Sequence, residues 1–148
     1  MHACPLLVSD AHAFRPGPPE QRVQVATPDS ALTLVRPLVS GRDREHGVLV
    51  ALDTRHRVIG TRLVSMGTAA HTFLAPREVY RDALMLGASA IIVGHNHPSG
   101  DPAPSDDDRR ITRRLSLAGD TLGVDLLDHI IVGDPAWVSL ARLGEVDP

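Results

Sequence analysis

The 148-residue chain contains no lysine: all 15 of its basic residues are arginine. Arginine retains its charge and makes planar contacts with carboxylates or phosphates. Here 18 Asp and Glu outweigh it, and the formal net charge of -3 supplies no general drive towards DNA or an anionic membrane. The single cysteine, Cys4, excludes an intrachain disulfide and reads as incidental. No apolar run reaches membrane-spanning length, and the start lacks a basic segment followed by a signal-like apolar core. A cytoplasmic protein with no membrane association is therefore expected. Aromatic residues are scarce: two Phe, one Tyr and one Trp. Even so, 43% hydrophobic residues suffice for one substantial core.

Pro16, Gly17, Pro18 and Pro19 argue against regular structure near the start, although RVQVA at 22–26 alternates like a short strand. Residues 1–27 are expected to form a partly irregular extension, and residues 28–148 one domain. Apolar periodicity predicts a helix over 29–39, with Ala31, Leu32, Leu34, Val35, Leu38 and Val39 supplying its contacts. Strands follow near 47–53 and 57–65, with a hairpin across Thr54 to His56. A helix starting at Pro76 buries Val79, Ala83, Leu84 and Leu86 up to the break at Gly87. Next come a strand at 89–94, a helix from about 106 to 118 with Ile111, Leu115 and Ala118 inward, a strand over 124–132 and a short one around Trp137. Hairpins mixed with crossovers predict an α/β fold, a mixed and mainly antiparallel sheet flanked by helices. No phosphate-binding glycine fingerprint follows the first strand, and Gly94 is assigned to the histidine loop, which argues against a Rossmann fold.

The most informative segment is HNHPSGDPAPSDDD at 95–108. His95 and His97 emerge just past a buried strand, and an i, i+2 pair in extended geometry projects to one side. Pro98, Gly100, Pro102 and Pro104 favour a turned path that returns the chain, so that Asp108, eleven residues beyond His97, can meet the histidines. Two nitrogens and one carboxylate oxygen leave a tetrahedral zinc with an open position for water, which is then acidified into a nucleophile near neutral pH. A purely structural turn is the competing interpretation. Ser105 with Asp108 three positions later fits a capping-box variant at a helix start, where acids also suit the helix dipole. Spacing alone leaves both open.

The same segment carries, without a gap, the pattern His-x-His, seven residues, Ser, two residues, Asp. With RVIGTRLVSMGT at 57–68, APREVYRDAL at 75–84 and LLDHIIVGD at 126–134, the chain resembles the RadC family, the bacterial branch of the JAB/MPN metalloprotease-like domains, over roughly residues 28–144. The resemblance implies a JAB/MPN-like fold, related in layout to cytidine-deaminase-like folds. It also implies that His95, His97 and Asp108 bind Zn2+, that Ser105 contacts the activated water or the intermediate, and that Glu45 is the general acid/base. From its surroundings alone Glu45 reads as a surface residue at the entrance of the strand GVLVAL, fifty residues before His95.

The function so implied is a zinc-dependent hydrolase, a metallopeptidase or isopeptidase that attacks an amide bond of a peptide or protein through zinc-bound water. The alternative is a catalytically quiet metal-binding interaction module associated with DNA repair or DNA metabolism. A zinc deaminase is a distant third, because the Pro-Cys-x-x-Cys ligand segment is absent. Two departures from the RadC pattern matter. Too few residues precede the matching region for the helix-hairpin-helix-like domain usually found there. Gly47 stands where the family more often has a bulky aromatic, a change expected to enlarge the substrate approach or loosen Glu45. Arg109, Arg110, Arg113 and Arg114 read as a solvated helix face partly offset by Asp106 and Asp107, against the alternative of a polyanion-binding surface, so DNA association is expected to be weak. A homo-oligomer is compatible with the sequence. His71 and His129 are secondary metal-ligand candidates; His129, inside LLDHIIV, reads better as hydrogen-bonded within or beside the sheet.

Overall fold

In the computed structural model, which describes residues 17–67 and 74–146, the first long helix, α1 (Pro28–Val39), starts at a reciprocal cap. Ser30 N donates to Thr27 Oγ1, while Thr27 N donates to Ser30 Oγ, and Pro28 sits where no intrahelical N–H is needed. Ala31, Val35 and Val39 recur on one side of this helix and are buried. They rest on a five-stranded mixed sheet built from β1 (His46–Leu52), β2 (Val58–Met66), β3 (Ala90–Asn96), β4 (Asp125–Val132) and β5 (Trp137–Ser139), in the order β2-β1-β3-β4-β5. The β1–β2, β1–β3 and β4–β5 pairs are antiparallel, and only β3–β4 is parallel.

The sheet is covered on both faces, which is why β1 and β3 read as nearly continuous apolar runs. Val48, Val50, Leu52 and Ile92 meet α1, whereas Leu49, Ile91 and Val93 meet α2 (Pro76–Met85) and α3 (Asp106–Leu122) on the other side. Each such Leu, Val or Ile taken fully from water contributes about 1.5–3 kcal/mol. A Cβ on Gly94 would fall 2.4 Å from Val35 Cγ1, so this glycine lets α1 lie close against the strand that leads to the histidines.

The expected elements are present, with local differences. Strand β3 runs on through Gly94 and His95 to Asn96 because this stretch stays paired with Ile130, Ile131 and Val132 of β4; Gly94 and His95 are strand rather than loop residues. Helix α3 continues past 118 to Leu122 and stops at Gly123, whose φ of 73° is the left-handed conformation that terminates helices. On α2 the buried residues are Val79, Tyr80 and Ala83, while Leu84 is 50% exposed. Tyr80 takes the inward place, and its hydroxyl donates to the Leu115 carbonyl at 2.6 Å, tying α2 to α3. Residues 22–26 make a single antiparallel bridge, Gln24 to Arg57, rather than a strand, with Val25 buried beneath α1. Among the described residues, no helix is long and apolar enough to cross a membrane.

Candidate metal centre

The antiparallel register of β1 and β3 sets Gly47 opposite His95. Side chains alternate along a strand, so Glu45, two residues before Gly47, points to the same face as His95. Fifty residues of chain separate the two, and the sheet removes that distance. Glu45 is buried, and one of its carboxylate oxygens, one nitrogen of His95 and one of His97 all lie within 4.8 Å of one another.

Beyond β3 the turn is held by its own hydrogen bonds. His97 N donates to the Val132 carbonyl at 2.9 Å, Gly100 N to the His97 carbonyl at 3.0 Å, and Asp134 N to the Gly100 carbonyl at 3.0 Å. The His97 ring donates from Nδ1 to the Asp101 carbonyl at 2.8 Å, which leaves Nε2 facing the site. The chain then enters α3 through a capping box: Asp108 N donates to Ser105 Oγ at 3.0 Å, and Ser105 N donates to Asp108 Oδ2 at 2.9 Å. The cap and the ligand interpretations of Ser105 and Asp108 are thus compatible. The bond that starts the helix also aims the Asp108 carboxylate.

Three side chains converge there. His95 Nε2 and His97 Nε2 are 3.1 Å apart, Asp108 Oδ2 is 3.0 Å from His97 Nε2, and Asp108 Oδ1 is 3.2 Å from His95 Nε2. Four ligands arranged tetrahedrally about 2.0–2.1 Å from a zinc ion stand roughly 3.3 Å from one another. The three separations observed are of that size, and two imidazoles with one carboxylate form a donor set suited to zinc. Burial by itself acts to raise the Asp108 carboxyl, but the facing imidazoles of His95 and His97 hold it far below the usual carboxylate range. For His97, burial acts to lower the imidazole, and the Asp108 carboxylate with the Asp101 carbonyl outweighs it, so the pKa lies above its ordinary value.

The RadC-like JAB domain family matches residues 25–145. The chain belongs to this family. Among similar curated proteins are a UPF0758 protein of Desulforudis audaxviator (strain MP104C), 44% identical over 89% of this chain and 56% of its own length, and one of Shouchella clausii (strain KSM-K16), 42% identical over 83% of this chain and 54% of its own. A third, from Methanosarcina mazei, is 39% identical over 86% of this chain and 56% of its own length. The chain therefore spans little more than half the length of these relatives.

Two buried polar residues of this RadC-like domain stand out that the sequence did not single out for the site. Asn96, between the two histidines, points to the opposite face: its Oδ1 accepts from His46 N at 2.7 Å and its Nδ2 donates to the Arg44 carbonyl at 3.0 Å. It thereby grips the backbone on both sides of Glu45. Thr112, one turn beyond Asp108 on α3, donates to the Asp108 carbonyl at 2.7 Å and lies 2.7 Å from His129 Nδ1. His129 is hydrogen-bonded within the sheet, as its place in LLDHIIV suggested: besides Thr112 it meets His95 of β3, with Nε2 2.8 Å from His95 Nδ1. Burial, with His95 beside it, pushes the His129 imidazole well below its ordinary pKa.

Gly47 does not widen an approach at its own position. A Cβ there would fall 2.4 Å from Ser65 Oγ and 2.5 Å from Leu74 Cδ2, so β2 and the residue leading into α2 already occupy that space. Of the arginines following the turn, Arg109 donates to Glu145 Oε1 at 3.0 Å and to the Pro104 carbonyl at 3.2 Å, and Arg110 pairs with Asp107. His71 and Cys4 lie outside the described residues.

Proposed function

We propose that this domain is a zinc-dependent amide hydrolase, a metallopeptidase or isopeptidase acting on a peptide or protein. The convergence of His95 Nε2, His97 Nε2 and the Asp108 carboxylate at 3.0–3.2 Å, beside the buried Glu45, carries this reading. Held by those three side chains, zinc would acidify a water molecule and polarise a carbonyl oxygen.

The remaining chemistry belongs to this chain's own residues. Glu45 takes the proton released as water adds to the carbonyl carbon, and delivers it to the leaving nitrogen as the C–N bond breaks. One of its carboxylate oxygens lies within 4.8 Å of a nitrogen of each histidine, close enough to serve both transfers, and this reading gives Glu45 the proton rather than a place among the ligands. Ser105 Oγ already accepts from Asp108 N, which leaves its own proton free to donate to the carbonyl oxygen as negative charge gathers there. One comparable donor contributes about 3 kcal/mol of transition-state stabilisation. The substrate of any longer protein built on this domain is part of the same proposal.

The test compares zinc content and initial cleavage rate on peptide and isopeptide substrates for wild type and Glu45→Gln. The variant keeps size but loses the base, so it retains zinc and loses hydrolysis. An undiminished zinc-dependent rate excludes Glu45 as the base. A partner bound equally well by Glu45→Gln and by zinc-free protein would favour an interaction module.

A further inference from the structure

His129 is fully buried on β4, behind His95 as seen from Asp108 and His97, and the function proposed above gives it no role. Its ring nitrogens face a hydroxyl and another imidazole, so in this enclosed position it is a neutral ring with one donor and one acceptor. Which nitrogen is which follows from Thr112. That hydroxyl has one proton, and it is directed to the Asp108 carbonyl at 2.7 Å. Towards His129 Nδ1, 2.7 Å away, Thr112 Oγ1 can only accept. His129 therefore carries its proton on Nδ1 and offers a lone pair from Nε2. Across 2.8 Å, that lone pair requires the proton of His95 to sit on Nδ1. The Nε2 of His95 is then unprotonated, and it is the atom that faces His97 and Asp108.

We propose that His129 is a positioning residue for the metal centre: with Thr112 it locks His95 in the Nδ1–H tautomer and so presents the Nε2 lone pair to a divalent cation. His97 obtains the same tautomer more simply, from the Asp101 carbonyl. The histidine relay also runs through α3, because Thr112 donates to the backbone of Asp108 itself. One chain of hydrogen bonds thus runs from the His95 ring to the backbone carbonyl of Asp108. Partners of this kind orient metal-binding histidines, and their removal typically weakens metal affinity 10- to 100-fold.

The zinc-affinity part rests on the metal centre proposed above, and the tautomer part does not, so two measurements separate them. In zinc-free protein at pH about 8, where ordinary histidines are neutral, long-range ¹H–¹⁵N spectra of the imidazoles are expected to show both His95 and His129 protonated on Nδ1. An Nε2–H signal for His95 overturns the proposal, whether or not the protein binds zinc. Zinc affinity is then measured by chelator competition. His129→Leu is expected to lose roughly 10- to 100-fold. His129→Gln can still accept from His95 and donate to Thr112, and stays within a few-fold of wild type. Should His129→Leu not fold, Thr112→Val against Thr112→Ser makes the same comparison, with affinity lost only in the valine variant. Leucine or valine variants that fold and bind zinc as tightly as wild type overturn the proposal. A wild type with the Nδ1–H pattern but no zinc affinity refutes the metal reading and, with it, the positioning role.

Discussion

Asn96 holds Glu45 by the backbone on either side of it. Its side-chain amide accepts from the N–H of His46 and donates to the carbonyl of Arg44, the two residues flanking Glu45, at 2.7 and 3.0 Å. Gly67 N adds a third restraint by donating to the Glu45 carbonyl at 2.8 Å. Replacing Asn96 by Leu leaves a buried N–H and a carbonyl unpaired, at a cost of about 1–3 kcal/mol each where water does not enter. Asn96→Leu is expected to keep its zinc, lose stability and lower kcat for amide hydrolysis, because the base is no longer held in place. A folded variant with unchanged kcat would remove Asn96 from the account.

Much of the centre was legible because most of its parts are local. His95, His97, Ser105 and Asp108 lie within fourteen residues of one another, and the prolines and glycine between them restrict the path. Glu45 was suggested only by the family pattern, since nothing near it reveals the pairing of β1 with β3 that brings it close to the histidines. The same limit hid Asn96 and Thr112, and it hid the partners of His129, which sit on β3 and α3. Weak signals existed: a histidine amid the apolar LLDHIIV run needs a buried partner, and strand alternation puts Asn96 opposite its two neighbours. The end of α3 was misjudged although Gly123 marks it, and Leu84 was placed inward because periodicity ranks residues by apolarity. Tyr80, with a hydroxyl able to reach the Leu115 carbonyl, fits the core better.

Gly47 is predicted to be a packing requirement. Gly47→Ala forces Ser65 and Leu74 to move, and overpacking of this kind costs about 1–3 kcal/mol. Urea denaturation is expected to show that loss, and Leu74→Ala is expected to relieve part of it, so the double variant is less destabilised than the sum of the single ones. Strict additivity would mean that the contact with Leu74 is not what excludes a side chain at this position.

The zinc-free protein is predicted to lose stability in acid for two reasons of the same sign. His129 is held below its ordinary pKa, first by burial and then by His95, so as pH falls below about 6.5 the unfolded chain takes up that proton before the folded one does. Asp108, held far below the carboxylate range against the effect of its burial, adds a further loss as pH falls below about 4. His97 has the opposite sign: its raised pKa gives stability that is full below about 6.5 and is lost as pH rises through its folded value. The His129 contribution is isolated by comparison with His129→Gln. Between pH 7 and 5 the wild type is expected to lose stability relative to that variant, by at most about 1.4 kcal/mol per pH unit. Parallel curves for the two proteins would contradict a neutral, buried His129.

Duplex DNA is predicted to bind weakly at physiological salt. The net charge is -3, and Arg109 and Arg110 are engaged with Glu145 and Asp107. Fluorescence anisotropy with a labelled duplex tests this. Tight binding that disappears when Arg109, Arg110, Arg113 and Arg114 are neutralised would make this helix face a nucleic-acid surface.

The central claim is that His95, His97 and Asp108 form one zinc site, and metal stoichiometry tests it most directly. Protein free of aggregates, loaded at limiting zinc and freed of excess metal, is expected to retain one zinc per domain, and the His95→Ala/His97→Ala variant close to none, since each histidine supplies a direct ligand. Full retention of zinc by the folded double variant would contradict the account.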